Sequence, residues 1–302
     1  MRDFQPVIER CVARYRDGSD AARLFHGRGH SYDGYADVIV DLLPPYLMVS
    51  TYADDERGMM QLAGLLSERL TSLQGICVRL RDGRRTRTRV ACGSVPDQLT
   101  VTEDDLRFIV RPMRNQNIGL FLDMAPARQW LQQRSAGVAV LNLFAYTCGF
   151  SVAAVAGGAR LVVNNDMSRS ALDWGLENHR ENRHDPRVVT MLAKNLFKSW
   201  WKIRQLGPYD VVVIDPPTNQ HGSFNAEKQY GQILKRIPQF TVAGGSVLAC
   251  LNSPFLSTDF LPSQMSRWCA NCEFVEYLAA SEDFPDRFTD RALKVGVFRY
   301  SG

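Results

Sequence analysis

The stretch DVVVIDPPT, Asp210 to Thr218, sets consecutive β-branched residues between two acids and closes on two prolines. A run apolar at every position reads as a strand buried on both faces, because a half-buried strand would alternate apolar with polar residues. Asp215-Pro216-Pro217 then stops it, since proline gives no donor to a sheet ladder. Working outward, VAVLNLF, ARLVVNND, RVVTML and GSVLACL share this texture, and each strand is followed by a segment of helical spacing. Such alternation from Val138 onward predicts a doubly wound parallel sheet with helices on both faces, an α/β class. CEFVEYLAA and ALKVGVFRY follow the last helix and are joined by a loop, which predicts an antiparallel strand at the sheet edge.

Residues 1–110 have a different texture. A short helical start precedes RLFHGRGHSYDGYADVIVDLLPPYLMVSTY, which reads as turns and two short strands broken at Pro44-Pro45. Gly58 to Leu73 has helical spacing, and ICVRLRDGRRTRTRV alternates on both sides of an Asp82-Gly83 turn. The organisation expected is a small α+β domain over 1–110 followed by the α/β domain over 111–302.

Composition narrows the classes. The chain of 302 residues is 45% hydrophobic and 23% charged, enough for a well-buried core. No apolar run approaches the ~20 residues that span a bilayer, and MRDFQPVIERC lacks the apolar block of a signal peptide. No membrane association and a cytoplasmic location are expected. The seven cysteines are scattered and odd in number, so free thiols are expected rather than a disulfide framework. Cys269-Ala-Asn-Cys272 has no second pair, and no metal site is expected. A net charge of +4 permits a polyanionic partner without establishing one.

In a doubly wound sheet the ligand lies beyond the carboxyl ends of the strands. The first strand leads through Tyr146 to Gly149 into the helix SVAAVAGG, so amides at the helix start can face a ligand. The second ends in Asp166, placed to bond two ribose hydroxyls or, equally, to stand near the helix start at Ser168. The third leads to Asn195, which could read an adenine edge or cap the next helix. The G-x-G-x-x-G fingerprint is missing, which disfavours a nicotinamide-dependent dehydrogenase.

GLFLDMAPAR, VLNLFAYTCGFSVAAVAGGA, DMSRSALDWGLEN and VVIDPPT together resemble the S-adenosylmethionine-dependent methyltransferases of large-subunit ribosomal RNA, the group with cytosine-C5 and guanine-N7 enzymes. RLFHGRGHSYDGYADVIVD resembles the small α+β domain preceding their catalytic domain. The resemblance implies a Rossmann-like class I methyltransferase sheet, S-adenosylmethionine as cofactor and ribosomal RNA as partner. It puts Asp123 and Arg128 at the methionine end of the cofactor, with the turn Phe144 to Gly149, including Tyr146 and Thr147, around it. Asp166 and Met167 would hold ribose and adenine, with Asn195 near the adenine. Asp215 and Pro216 would meet the acceptor base. An RNA-binding assembly factor that keeps the fold without catalysis is the alternative.

Two departures from that family shape the expectations. No segment matches the N-terminal RNA-binding domain of some members, so substrate grip is expected from elsewhere. Where the C5 enzymes are cysteine-rich after the fifth strand, LACLNSPFL has Cys250 and then Asn252. Cys250 is read either as a nucleophile adding to a cytosine ring or as a small core residue. The arginines 79, 81, 84, 85, 87 and 89 are read either as a phosphate-contacting stripe or as a charged edge hairpin, with the acids Glu103, Asp104 and Asp105 following.

Overall fold

The computed structural model describes residues 2–82, 85–114, 117–217, 219–220 and 224–302. The chain forms two compact units, Met1–Asp123 with Ser281–Phe288, and Met124–Ala280 with Thr289–Gly302.

In the first unit the helices α1 (Gln5–Arg14) and α2 (Glu56–Arg69) bury Val7, Ile8, Cys11, Met59, Leu62, Ala63 and Leu66 against one face of a sheet. The Asp55 carboxylate starts α2 by accepting the Gly58 amide at 2.9 Å. The sheet has the order β1 (Ala22–His26), β2 (Val38–Leu43), β3 (Tyr46–Thr51), β4 (Gly75–Asp82), β5 (Arg85–Gly93). Only β3 and β4 are parallel, as a crossover through α2 requires. A separate hairpin, β6 (Leu99–Glu103) with β7 (Leu106–Val110), turns through Asp104 and Asp105, both at positive φ. Those two acids therefore form a turn.

The basic hairpin forms as β4 and β5, with Gly83 and Arg84 of its tip outside the described residues. Its register pairs Arg79 with Thr88 and Leu80 with Arg87. Side chains alternate along a strand, so Arg79 and Arg81 share one face while Arg87 and Arg89 share the other. Arg79 is 0% exposed and donates to Thr88 Oγ1 and the Pro112 carbonyl. Burial lowers its pKa to about 10. Arg89 pairs with Glu56 at 3.1 Å. The described arginines do not make a single stripe.

The first unit runs past residue 110, where the sequence reading drew its boundary, because Arg79 and Asp97 hold the following segment through Pro112 and Arg114. It also takes in 281–288, which the sequence reading left with the second domain. There the Arg287 amide donates to the Gly29 carbonyl at 2.7 Å, Arg287 pairs with Asp33, and the Arg23 guanidinium lies 4.4 Å from the Phe284 ring centroid.

The second unit runs α3 (Ala125–Gln132), β8 (Ala139–Leu143), α4 (Gly149–Ala156), β9 (Leu161–Asp166), α5 (Arg169–Glu181), β10 (Val189–Ala193), α6 (Trp200–Leu206) and β11 (Tyr209–Ile214). Short strands β12 (Asn219–Gln220) and β13 (Phe224–Asn225) lead to α7 (Ala226–Leu234), β14 (Thr241–Leu251), α8 (Phe260–Trp268), β15 (Cys272–Tyr277) and β16 (Lys294–Tyr300). The seven-stranded sheet has the order β10-β9-β8-β11-β14-β16-β15. The strands from β10 to β14 are parallel. The chain moves outward from β8 and then returns to its other side, so the topological switch point lies between β8 and β11.

Alternate residues feed two cores. Leu141, Val212, Ile214, Val247 and Ala249 pack with α7 and α8, while Val140, Val162, Val211, Val213 and Leu248 pack with α3 and α4. The expected antiparallel strand is β16, one in from the edge between β14 and β15. β10 is half-buried along its length because it closes the other edge.

A Cβ on Gly29 would stand 1.8 Å from the Pro285 carbonyl oxygen, a main-chain atom that no rotamer change can move. Gly29→Ala is expected to destabilise the first unit by about 1–3 kcal/mol, read as a lower denaturant midpoint; an unchanged midpoint would contradict this contact.

Candidate active site

The site is built where β8, β9 and β11 end. After Leu143 the chain needs left-handed backbone at three non-glycine residues, with φ of 61° at Phe144, 46° at Tyr146 and 63° at Cys148. Such residues are held only where neighbours over-determine them. Here the Ala145 amide donates to the Asn165 carbonyl at 3.1 Å, the Tyr146 amide to Asp166 Oδ2 at 2.9 Å, and Asn178 Nδ2 to the Thr147 carbonyl at 2.9 Å. Gly175 of α5 lets the helix press on the turn, since a Cβ there would come within 2.4 Å of Cys148 Sγ. Burial pushes the Cys148 thiol well above its ordinary pKa, so it remains a neutral packing group.

The turn feeds straight into α4, whose N-cap Cys148 makes no side-chain capping bond. Its first amides therefore lack intrahelical partners. Arg128, buried on α3, brings its Cδ within 3.6 Å and its Nη1 within 3.7 Å of where a Cβ on Gly149 would sit. Asp166 Oδ1 accepts the Ser168 amide at 2.8 Å, and the Ser168 hydroxyl caps α5 through Ala171. One acid thus ties the turn to the start of α5. Met167 beside it is 56% exposed.

Asn195 caps a short turn, Oδ1 accepting the Phe197 amide at 2.9 Å. That is the capping alternative, and it leaves the side-chain NH2 for other partners. Asp215 continues from β11 with its amide 3.4 Å from the Leu143 carbonyl, followed by buried Pro216. Thr218 lies outside the described residues. Asp123, the last residue of the first unit, sits half-buried in the turn leading into α3. Cys250 has two readings from the sequence, a nucleophile or a core residue. It precedes the last residue of β14 and is 1% exposed, packed in the apolar cluster with Val140, Phe150, Val213 and Val295. Sequence reasoning placed it at a strand end but could not tell which core its face joins.

Several residues escaped the sequence reading. Tyr230 of α7 donates to the Cys250 carbonyl at 3.0 Å, with the Ile214 carbonyl at 3.4 Å, tying β11 to β14 at the site. Asn165 Nδ2 bonds the Leu192 and Lys194 carbonyls, both at 3.0 Å. A chain of bonds runs from buried Asn142 through buried Asn164, Ser151 and His179 to half-buried His184, each link 2.8–2.9 Å. Phe255, in the turn after β14, is 87% exposed. The signal available for the asparagines was their presence inside otherwise apolar strands.

Residues 22–299 match the S-adenosylmethionine-dependent methyltransferase family. The chain belongs to this family. It is similar to "Ribosomal RNA large subunit methyltransferase I" of Enterobacter sp. (strain 638), 28% identical over 89% of this chain and 71% of that relative. The protein of the same name from Aeromonas salmonicida (strain A449) is 33% identical over 57% of this chain, but the match spans only 48% of that relative's length. Among solved structures, SMU.776 complexed with SAH superposes with a TM-score of 0.84 at 21% identity, covering 96% of this chain and 78% of that one. The SAM-dependent methyltransferase from Agrobacterium tumefaciens gives 0.71 at 17% identity, covering 95% and 92%. These likenesses show the fold.

As a methyltransferase of this family the protein uses S-adenosylmethionine, and the strand ends fit it. An uncapped helix start with a glycine at its first position leaves amide donors for the cofactor. The Asp166 carboxylate, after two amide bonds, keeps lone pairs for hydroxyls. A dehydrogenase is not favoured. Among the described residues no group of three or more His, Cys, Asp or Glu is arranged to hold a metal. Cys269 and Cys272 touch at 3.0 Å where β15 starts, the opposite end of the strands from the site.

His179 is 3% exposed, and burial lowers its pKa to about 3. An unfolded histidine titrates near 6.5, so the unfolded chain binds the extra proton first and stability falls as pH drops from about 6.5 toward 3. Between pH 7 and 5 this one group should cost about 2 kcal/mol. His179→Gln should remove that share of the pH dependence of the urea midpoint; an unaltered dependence would mean that folding leaves the pKa of this ring unshifted.

Proposed function

We propose that the protein methylates a base of large-subunit ribosomal RNA in the cytoplasm, with Asp215 and Pro216 receiving the acceptor base. The observation that carries this reading is Asp215-Pro216-Pro217 following β11 at the switch point, its first amide 3.4 Å from the carbonyl of Leu143, the last residue of β8 before the Phe144–Gly149 turn. The names of the relatives supply the substrate class. No helix among the described residues is long and apolar enough to cross a membrane.

Bound S-adenosylmethionine supplies a methyl group on a positively charged sulfur. Asp123 and Arg128 hold its methionine end, Phe144, Tyr146, Thr147 and Gly149 line it, and Asp166 accepts from the ribose hydroxyls. Met167 and the free NH2 of Asn195 meet the adenine. Transfer is an in-line displacement, so the chain must fix the acceptor atom and exclude water. The two prolines stiffen the loop and offer no N–H, which leaves carbonyls and the Asp215 carboxylate to accept from a base turned out of its stack. Phe255 offers an exposed ring on which a neighbouring base stacks. Cys250 serves packing, and transfer is direct.

Incubation with labelled S-adenosylmethionine and unmodified large-subunit ribosomal RNA, then mass spectrometry of the digest, identifies the nucleotide and atom; no label in that RNA would refute the proposal. Asp215→Ala should keep cofactor affinity within about threefold and lower transfer by ~100-fold or more. Cys250→Ala should keep most of its turnover, and its inactivation with normal cofactor binding would restore the thiolate route.

Asp166→Ala should weaken S-adenosylmethionine binding by about 1.5–3 kcal/mol, the worth of a hydrogen bond to a charged group. Calorimetry giving wild-type affinity would take Asp166 out of the cofactor site.

A further inference from the structure

In the first unit two guanidinium groups converge on one phenol. Arg28 Nη1 lies 3.0 Å and Arg81 Nη1 3.1 Å from Tyr52 Oη, and both groups stand near its ring, 4.5 and 5.5 Å from the centroid. The oxygen accepts from both, so two positive charges are gathered on one neutral atom. Tyr52 is 38% exposed and Arg28 is exposed.

This gathering is built into the backbone. Arg28 is the middle of the turn Gly27–Gly29, pressed from both sides. A Cβ on Gly27 would meet the Tyr35 carbonyl oxygen at 1.8 Å, and one on Gly29 the Pro285 carbonyl oxygen at 1.8 Å. Arg81 comes from β4, on the face opposite Arg87 and Arg89.

Acids around Tyr52 are engaged elsewhere. Asp37, whose carbonyl accepts the Tyr52 amide, binds Arg2 at 2.7 Å and Thr51 at 3.0 Å. Asp55 caps α2, and Glu56 pairs with Arg89. Asp54 is exposed and makes no ion pair among the described residues. Two guanidinium groups, one on an exposed and one on a half-buried arginine, beside a half-open ring suit a phosphate bridged between them with its sugar or base against the ring.

We propose that Arg28, Tyr52 and Arg81 form a cradle for a phosphodiester of the RNA substrate. The proposal rests on the reading of the protein as an RNA methyltransferase, and it replaces the arginine stripe as the source of grip. Each guanidinium releases about one counterion's worth of salt dependence when it meets a phosphate.

The test is filter binding of the full chain to large-subunit ribosomal RNA transcribed in vitro, across a salt series, with calorimetric S-adenosylmethionine affinity as a check on the second unit and circular dichroism as a check on the first. Arg28→Gln and Arg81→Gln should each weaken RNA binding about 3- to 10-fold and lower the slope of log affinity against log salt by about 0.7–0.9. Arg28→Lys should keep the slope and lose part of the affinity, because an ammonium keeps the charge without the fork. Wild-type slope and affinity in both glutamine variants would overturn the cradle even if the protein methylates this RNA. Reduced slopes in a protein that transfers no methyl group to it would support the cradle and refute the proposed function.

Discussion

The bond from the Tyr146 amide to the Asp166 carboxylate is the constraint on which the site depends. Left-handed backbone at a residue with a side chain costs of order 1–3 kcal/mol, and the turn after β8 takes it at Phe144, Tyr146 and Cys148. A flexible glycine loop would need no such support. The support comes instead from the neighbouring strand and helix: Asp166, the Asn165 carbonyl, Asn178, and the close approach that Gly175 allows. The strain and its tethers form one object, and β8, β9 and α5 must be in register before any of it can exist.

Behind that turn the second unit carries polarity where its neighbours are apolar. Asn142 and Asn164 sit on adjacent central strands, joined to each other and through Ser151 to His179. A buried polar group without a partner costs more than a formed bond returns. The chain of bonds therefore specifies the pairing of β8 with β9 and the seating of α4 and α5 more strictly than apolar packing alone would. Tyr230 does the same for β11 and β14. The strand ends that frame the site are thus fixed laterally by side-chain bonds, in addition to the ladder.

The strands were legible because parallel strands buried on both faces are nearly continuous apolar runs, and DVVVID or VAVLNLF, interrupted only by Asn142, reads as such a strand. The family motifs singled out the strand ends that make up the proposed site. What stayed hidden was whatever depends on register or on a distant partner. Cys250 was legible as a strand residue, but its cluster with Val140, Phe150 and Val295 is set by strands and helices far away in sequence. Six arginines in one hairpin suggested a stripe, yet the pairing of Arg79 with Thr88 divides the described ones between two faces and buries the first. The return of 281–288 to the first unit turns on contacts with Gly29, Asp33 and Arg23, which no local pattern announces. The left-handed turn was invisible for a related reason: phenylalanine, tyrosine and cysteine carry no propensity for it, and only tertiary bonds make it hold.

Asp166 shows why the two readings left open for it by the sequence are compatible. As a helix-start residue it accepts the Ser168 amide through one oxygen, and through the other it accepts the Tyr146 amide. Those bonds fix the carboxylate plane without exhausting it, since an ionised carboxylate has about four acceptor directions. A group already immobilised by its backbone partners loses little further freedom when a ligand arrives, so its remaining lone pairs bind hydroxyls at a smaller entropic cost than a free side chain would. The structural role is then the condition for the proposed binding role. The same logic distinguishes Asn195, whose one carbonyl oxygen is used in capping while its NH2 stays available. A donor suits the acceptor nitrogens of a purine edge, whereas Asp166, an acceptor, suits hydroxyl protons. Two residues at adjacent strand ends, each held by its own backbone bond, therefore present opposite hydrogen-bonding characters, as the proposed ribose and adenine contacts require.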